Sequence, residues 1–325
     1  MGLCTKAEAV LQFKPGVVSY FRQKRQVAFA LLPLIDDEIN RLEKLGVVKR
    51  VDLAQCSAPI VVVQKANGGV RICPDFSIGL NDALEPHQFP LTLTEEICIS
   101  LQGGKYFSTI DLSDAYLQVK VSEDLQQLLT VNTHQGLLQY QRLPLGVKNG
   151  PGTFQQITST MLTGLKGVVP FIDDIIKAAE SIEQHRHILE LELQCIQEWG
   201  FKLNYEKFRF FQPQVRFLGF VFDSSGRRPD RKRISAIAYM PEPEDTIEVR
   251  SFLGMLNFYS QFIANVRISR PIDNLLKKNV KFRLSDECHA AFNKAKEAKE
   301  IIVAGDALKD GIGGVMVHRF PDGSK

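Results

Sequence analysis

Residues 168–179 read VVPFIDDIIKAA and set the tightest limit on what this chain can become. Asp173 and Asp174 stand side by side, with Phe171 and Ile172 before them and Ile175 and Ile176 after. Apolar, β-branched flanks ask for a strand on each side, so the two acids must occupy a tight, packed turn. An Asp-Asp pair is most often a solvated turn or a helix cap. Held between buried strands, two carboxylates are costly unless cations compensate them. A divalent ion is the usual compensation, and an all-oxygen donor set suits Mg²⁺.

A third acid would complete a site. STIDLSDAY (108–116) ends an apolar strand at Asp111, between Ile110 and Leu112; Asp114 is expected to cap or to face solvent. Three aspartates on neighbouring strand ends can hold two Mg²⁺ roughly 3.5–4 Å apart, an arrangement that activates an attacking hydroxyl and shields a leaving phosphate.

The remainder is ordinary for a globular chain. Of 325 residues, 44% are hydrophobic and 24% charged, which excludes disorder and allows one large multi-lobed body or two or three domains. A net charge of +3 permits a nucleic-acid partner without demanding one, so any basic footprint must be local. The six cysteines lack metal-ligand spacing and read as free thiols in a reducing compartment. No apolar run approaches the ~20 residues that span a bilayer. The first residues, MGLCTKAEAVLQF, contain no apolar stretch of a secretory signal, and Lys6 departs from the myristoylation pattern.

Periodicity supplies the elements. Ile35, Ile39, Leu42 and Leu45 predict a helix that Gly46 ends, and residues 58–76 predict two strands joined by Asn67-Gly68-Gly69. Residues 128–146 predict a hairpin around His134–Gly136. Phe154, Ile157, Met161 and Leu165 share one helical face. Residues 181–200 predict a helix whose buried stripe is Leu189, Leu193 and Ile196, with Ser181 and Gln184 as a capping box. A boundary is expected at SSGRRPDRKRIS, followed by helical, more basic sequence.

STIDLSDAYLQV, LPLGVKNGPGTFQ, FIDDI, GFKLNYEKFRFF and VRFLGFVFD occur in that order and resemble motifs A to E of reverse transcriptases. The wording is most similar to the Pol polyprotein of gypsy-type LTR retrotransposons, over roughly residues 30–320. The resemblance implies an α+β right-hand polymerase with an antiparallel palm sheet. Its parts would be an N-terminal segment (1–29), fingers and palm (30–225), thumb (226–282), and a connector with a truncated RNase H-like start (283–325).

It also implies roles for single residues. Asp111, Asp173 and Asp174 match the catalytic, metal-binding triad, and Tyr116 the aromatic gate against ribonucleotides. Lys65 and Arg71 match the residues that hold the incoming triphosphate, and Leu145 and Gly146 the floor of the dNTP pocket. Lys207 matches the lysine proposed to protonate pyrophosphate, and residues 217–220 the primer grip. Implied cofactors and substrates are two Mg²⁺, with Mn²⁺ as a substitute, and dNTPs. The implied partner is an RNA or DNA template with its primer, in a cytoplasmic particle or the nucleus, without a membrane.

Read without that resemblance, Tyr116 could be core, Lys65 and Arg71 a solvated hairpin, Leu145-Gly146 a turn and Lys207 a surface lysine. The chain also departs from the family pattern. Phe171 stands where Tyr is usual, Leu145 where Phe is usual, Ser77 where a basic residue is usual, and Gly150 and Gly152 loosen the start of a helix. Asp306 matches the first RNase H aspartate, but the sequence stops at Lys325 before the others, so no RNase H activity is expected. Arg227, Arg228, Arg231, Lys232 and Arg233, with Lys277, Lys278, Lys281 and Arg283, could form a phosphate track. The leading reading is an RNA-directed DNA polymerase. The alternatives are a catalytically dead relic that binds nucleic acid, and an unrelated Mg²⁺ enzyme.

Overall fold

The computed structural model describes residues 1–16, 20–77, 79–230, 232–233, 235, 239–259, 270–277, 280, 282–296, 301–308 and 311–318. In chain order the elements begin with β1 (Glu8–Ala9), α1 (Leu32–Lys44), β2 (Val48–Val51), β3 (Ala58–Gln64), β4 (Val70–Pro74), α2 (Leu80–Ala83) and α3 (Thr94–Leu101). Then follow β5 (Tyr106–Asp111), β6 (Lys120–Val121), α4 (Glu123–Gln126), β7 (Thr130–Thr133), β8 (Gly136–Tyr140), α5 (Gly150–Met161), β9 (Val168–Phe171), β10 (Asp174–Ala179) and α6 (Ile182–Glu198). The last are β11 (Arg209–Gln212), β12 (Gln214–Phe217), β13 (Phe220–Asp223), β14 (Gly226–Pro229), α7 (Thr246–Phe258), α8 (Arg270–Asp273), α9 (Asp286–Lys296), β15 (Ile301–Leu308) and β16 (Gly311–His318).

The chain divides into two compact units. The first holds Met1–Leu93, Ser108–Lys177 and Glu183–Phe210; the second holds Thr94–Phe107, Ala178–Ile182 and Phe211–Lys325. A four-stranded sheet runs β11-β5-β10-β9, and two five-stranded sheets run β2-β8-β7-β3-β4 and β12-β13-β14-β15-β16. The mixed helix and sheet is the class the sequence implies.

In the first unit most predicted periods appear where expected, but α5 ends at Met161 and leaves Leu165 outside the helix. α1 buries Ile35, Ile39 and Leu42 on one stripe, takes Pro33 into its first turn, where a missing N–H costs nothing, and is followed by Gly46 at φ 62. The β3–β4 hairpin pairs Gln64 with Val70 across a turn whose Gly68 has φ 83. β7 and β8 pair Thr133 with Gly136. A continuous core runs through Ile110, Tyr116, Val119, Leu143, Phe154, Ile175 and Phe201. The first residues are strapped on by backbone bonds: the N–H groups of Leu3 and Thr5 donate to the carbonyls of Gly200 and Trp199, both at 3.0 Å.

α6 differs from the expectation. Its buried residues are His185, Glu192 and Ile196, while Leu189 and Leu193 are only partly buried. Polar side chains reach the interior there because polar partners face them from the sheet. His185 Nε2 lies 2.7 Å from Ser108 Oγ, and Lys177 Nζ donates to Glu192 Oε2 at 2.8 Å.

In the second unit, β12 and β13 form a hairpin pairing Phe217 with Phe220. The boundary expected at residues 224–235 begins with a strand, because β13 turns through Ser224 and Ser225 into β14, pairing Asp223 with Gly226. Two arginines of the expected phosphate track are therefore engaged within this unit. Arg228 donates to Asp223 at 2.6 Å and Gln214 at 2.8 Å, while Arg227 donates to Cys98 Sγ at 2.8 Å and lies 5.1 Å over the Phe220 ring. Arg231, Lys278 and Lys281 lie outside the described residues.

α7 is capped by Asp245, whose side chain accepts from the N–H groups of Ile247 and Glu248, both at 2.8 Å. The expected final strand pair is β15–β16, in which Asp306 stands opposite Gly313. All six cysteines are free. Among the described residues no helix is long and apolar enough to cross a membrane.

Candidate active site

The β9–β10 hairpin pairs Phe171 with Asp174, which leaves Ile172 and Asp173 as a two-residue turn. Ile172 has φ 54, a left-handed conformation that a β-branched side chain rarely adopts. A buried amide on α5 supports it. The Ile172 N–H donates to Gln155 Oε1 at 2.8 Å, and Gln155 Nε2 donates to the Pro170 carbonyl at 2.8 Å. Pro170 lies on β9, an edge strand, where its missing N–H disturbs no inner ladder.

β5 delivers Asp111 to the same place. The Leu112 N–H donates to the Asp173 carbonyl at 3.2 Å, and the Asn204 N–H to the Asp111 carbonyl at 2.9 Å. The second bond brings in the segment carrying Lys207, whose Nζ donates to Asp111 Oδ2 at 2.9 Å. Lys207 is 64% exposed and Asp111 only 15%, so a mobile cation rests on a fixed acid.

The charges at this spot are unbalanced. Burial, then Asp174 and Asp111, push the Asp173 carboxyl up to about 6, against a weaker downward pull from Lys207 and Arg71. Asp174, although its residue surface faces solvent, is raised by desolvation and by Asp111. Asp173 Oδ1 is buried with no hydrogen-bond partner among the described residues. An all-oxygen donor set with one orphaned carboxylate oxygen fits a hard divalent cation. Among the described residues no three His, Cys, Asp or Glu side chains are gathered into a metal cage, and Asp111 is paired with Lys207 instead.

A cleft of about 360 Å³ opens over the acids, lined by Lys65, Arg71, Asp111, Tyr116, Leu145, Asp173 and Lys207 among others. Of the residues the sequence nominated, Asp174 and Gly146 stand outside this lining. Tyr116 is buried against Phe154, with ring centroids 5.1 Å apart, and its phenol is raised by burial and by Asp173. Lys65 and Arg71 flank the β3–β4 turn, and neither has a salt-bridge partner among the described residues. Gly146 has φ 92, and a Cβ there would meet the Pro74 carbonyl oxygen at 2.5 Å, so this position needs glycine. Asn81 clamps the same loop, donating to the Gly146 carbonyl at 2.9 Å and accepting from the Lys148 N–H at 2.8 Å.

Sequence reasoning missed Gln155 and Asn81, because an amide on a helix reads as a solvent-facing residue until its partners are known. It also missed Arg41, which lines the cleft with Glu38 and reaches Asp114 at 3.5 Å. Asp114, at φ 49, precedes the short turn Ala115–Gln118, and its side chain makes no cap hydrogen bond there.

Residues 70–222 match the family model for reverse transcriptase (RNA-dependent DNA polymerase). The chain is 43% identical over 265 residues, 81% of its length, to the uncharacterized protein K02A2.6 of Caenorhabditis elegans. It is 28% identical over 305 residues, 89% of its length, to the transposon Tf2-3 polyprotein of Schizosaccharomyces pombe. It spans 21% and 23% of those two relatives. Among solved structures, a foamy viral protease-reverse transcriptase in complex with dsDNA superposes with TM-score 0.80 at 24% identity, covering 91% of this chain and 62% of that one. Its complex with an RNA/DNA hybrid gives TM-score 0.77 at 22% identity, covering 91% and 40%.

Proposed function

We propose that this chain, whose residues 70–222 match the reverse transcriptase family model, extends a primer on an RNA or DNA template by adding dNTPs to its 3′-hydroxyl. The observation that carries the reading is the orphaned Asp173 oxygen, on a carboxyl raised by burial and then by Asp174 and Asp111, at a cleft that Lys65 and Arg71 also line. Asp111, Asp173 and Asp174 would hold two divalent ions, Mg²⁺ by donor type. Bound there, such ions supply charge neutralisation for the attacking hydroxyl and the leaving pyrophosphate.

The other residues have separable tasks. Lys65 and Arg71 bind the triphosphate, Lys as a point charge and Arg as a fork. Tyr116, held by its tilted ring contact with Phe154, presents a wall to the sugar and crowds a 2′-hydroxyl. Leu145 and Gly146 form the floor, with the loop shape set by Gly146 and Asn81. Lys207, which pairs with Asp111, would be the residue placed to donate a proton to the leaving pyrophosphate once that pairing is relieved.

Primer extension with the purified chain, an RNA template, Mg²⁺ and dNTPs tests this. Incorporation that disappears in Asp111→Asn supports the proposal. A folded chain that binds primer–template but adds no nucleotide would instead be a catalytically dead relic.

A further inference from the structure

The geometry points to the buried Lys177–Glu192 pair as a register lock for the acid-bearing strand, making both residues positioning residues of the candidate active site. This rests on the reading of that site given above. Lys177 lies on β10 and Glu192 on α6, 1% and 0% exposed, with Nζ 2.8 Å from Oε2.

The pair is poorly suited to a stabilising role. Two charges leave water, and Glu192 Oε1 has no partner among the described residues. A buried ion pair with an unsatisfied oxygen is commonly matched or bettered by apolar side chains of similar volume. What such a pair can supply is uniqueness, and β10 needs it. Ile175, Ile176 and Lys177 are consecutive and all fully buried, so both faces of the strand are covered. On a strand with one wet face, a slip of one residue exposes the core side. On a strand apolar on both faces, the same slip exchanges one apolar face for another, and hydrophobic pattern leaves register weakly specified. Lys177 breaks that degeneracy, because a slip would bury both charges apart.

A second contact makes the device specific to the acids. His185 stands two helical turns before Glu192 on the same face of α6 and meets Ser108 of β5 at 2.7 Å. β5 and β10 are neighbours in the sheet. Ser108 precedes Asp111 by three residues, and Lys177 follows Asp174 by three. One helix therefore holds each acid-bearing strand by one polar contact, at equal distance from its aspartate. The lock sets where Asp174, and the turn carrying Asp173, come to rest beside Asp111.

The test compares the full chain with K177M, E192L and the double variant K177M/E192L. Each single variant leaves one buried charge alone and is expected to lower the thermal midpoint; the double variant removes both charges and is expected to recover it. Two readouts then separate a lock from a structural filler. Amide exchange in β9–β10 is expected to be about tenfold faster in the double variant than in wild type despite the recovered midpoint. Mn²⁺ binding, followed by the paramagnetic signal of free Mn²⁺, is expected to weaken about tenfold, as misplaced ligands should cause. Wild-type exchange in the recovered double variant overturns the lock, whatever the metal does. Wild-type Mn²⁺ affinity alongside faster exchange overturns the positioning role. Failure of the wild-type chain to bind Mn²⁺ overturns the metal-site reading and the positioning role with it, while exchange still decides the lock.

Discussion

Two of the hairpins that turn on two residues, β12–β13 and β9–β10, solve the same backbone problem differently. The β12–β13 turn, Leu218-Gly219, has both residues at positive φ, 49 and 82. That matches the primed turns whose twist suits a hairpin, with glycine at one of the two positions. The β9–β10 turn, Ile172-Asp173, has positive φ at Ile172 and neither residue is glycine. A β-branched residue there stores about 1–3 kcal/mol of strain, which bonds from Gln155 offset. The first hairpin meets the demand of its turn with glycine at one of its two left-handed positions and Leu218 at the other. The second is bent to present two acids and depends on a brace from another element. Strain at a candidate active site is thus matched by a buried polar contact supplied from outside the strained segment.

The largest effect should come from removing the charge that the strained turn exists to carry. Asp173→Asn is expected to lower primer extension on the order of 10³-fold, the scale of a lost electrostatic contact at a developing charge. Stability should move the other way. The folded chain holds the Asp173 proton up to about pH 6, whereas the unfolded chain releases it near its ordinary value of 3.8. The folded state thus binds more protons across that window, and wild-type stability falls as pH rises through it. Asparagine removes this slope, so the variant should gain about 1–2 kcal/mol over wild type above pH 6. Urea unfolding at pH 4 and pH 7.5 reads the difference. A variant that gains nothing between those pH values would show that Asp173 carries no electrostatic strain.

Next in size is the brace. Gln155→Leu keeps the volume but leaves the Ile172 N–H and the Pro170 carbonyl unpaired in a buried place. The cost should be about 2–4 kcal/mol, with extension falling because the turn relaxes away from the conformation it is held in. If Gln155→Leu unfolds like wild type, the turn holds its own shape and the contrast between the hairpins fails.

Sequence made one of these hairpins easy to read and hid what holds the other. Apolar alternation and turn residues announced β3–β4, β7–β8, β9–β10 and the C-terminal end of α1, because those signals are local. The nominated Asp111, Asp173, Tyr116, Lys65, Arg71, Leu145 and Lys207 all line one cleft, because ordered motifs report on side chains needed in one place. What stayed hidden was tertiary and polar. Lys207 reaches Asp111 across 96 positions. Gln155, His185 and Glu192 sit on helices where polar residues normally face water, and partners such as Pro170, Ser108 and Lys177 account for their burial. Arg227 and Arg228 read as a basic run, yet a strand and its partners absorb both.

The third test turns to the relaxed hairpin. Gly219→Ala forces a Cβ onto φ 82 and toward Tyr259 Oη at 2.8 Å. The expected cost is about 1–3 kcal/mol, read as a shift in the urea midpoint with unchanged slope. Replacing Ile172 with glycine makes a useful partner measurement, since relief of strain there should offset part of the packing it loses.

The smallest effect should follow removal of a side-chain hydrogen bond made to this turn. Tyr259 Oη donates to the Gly219 carbonyl at 3.2 Å, and the Asp230 N–H donates to the same oxygen at 2.9 Å. Because a second donor remains, Tyr259→Phe should cost only about 0.5–1 kcal/mol. The same hydroxyl is what an alanine Cβ at 219 would strike, so the two substitutions should not add. With the hydroxyl gone, Gly219→Ala retains its φ penalty but loses its clash, and the double variant should be milder than the sum by about 0.5 kcal/mol or more. Strict additivity would place the whole penalty in the backbone. The relaxed hairpin would then be limited by φ alone, while its acid-bearing counterpart is limited by what braces it.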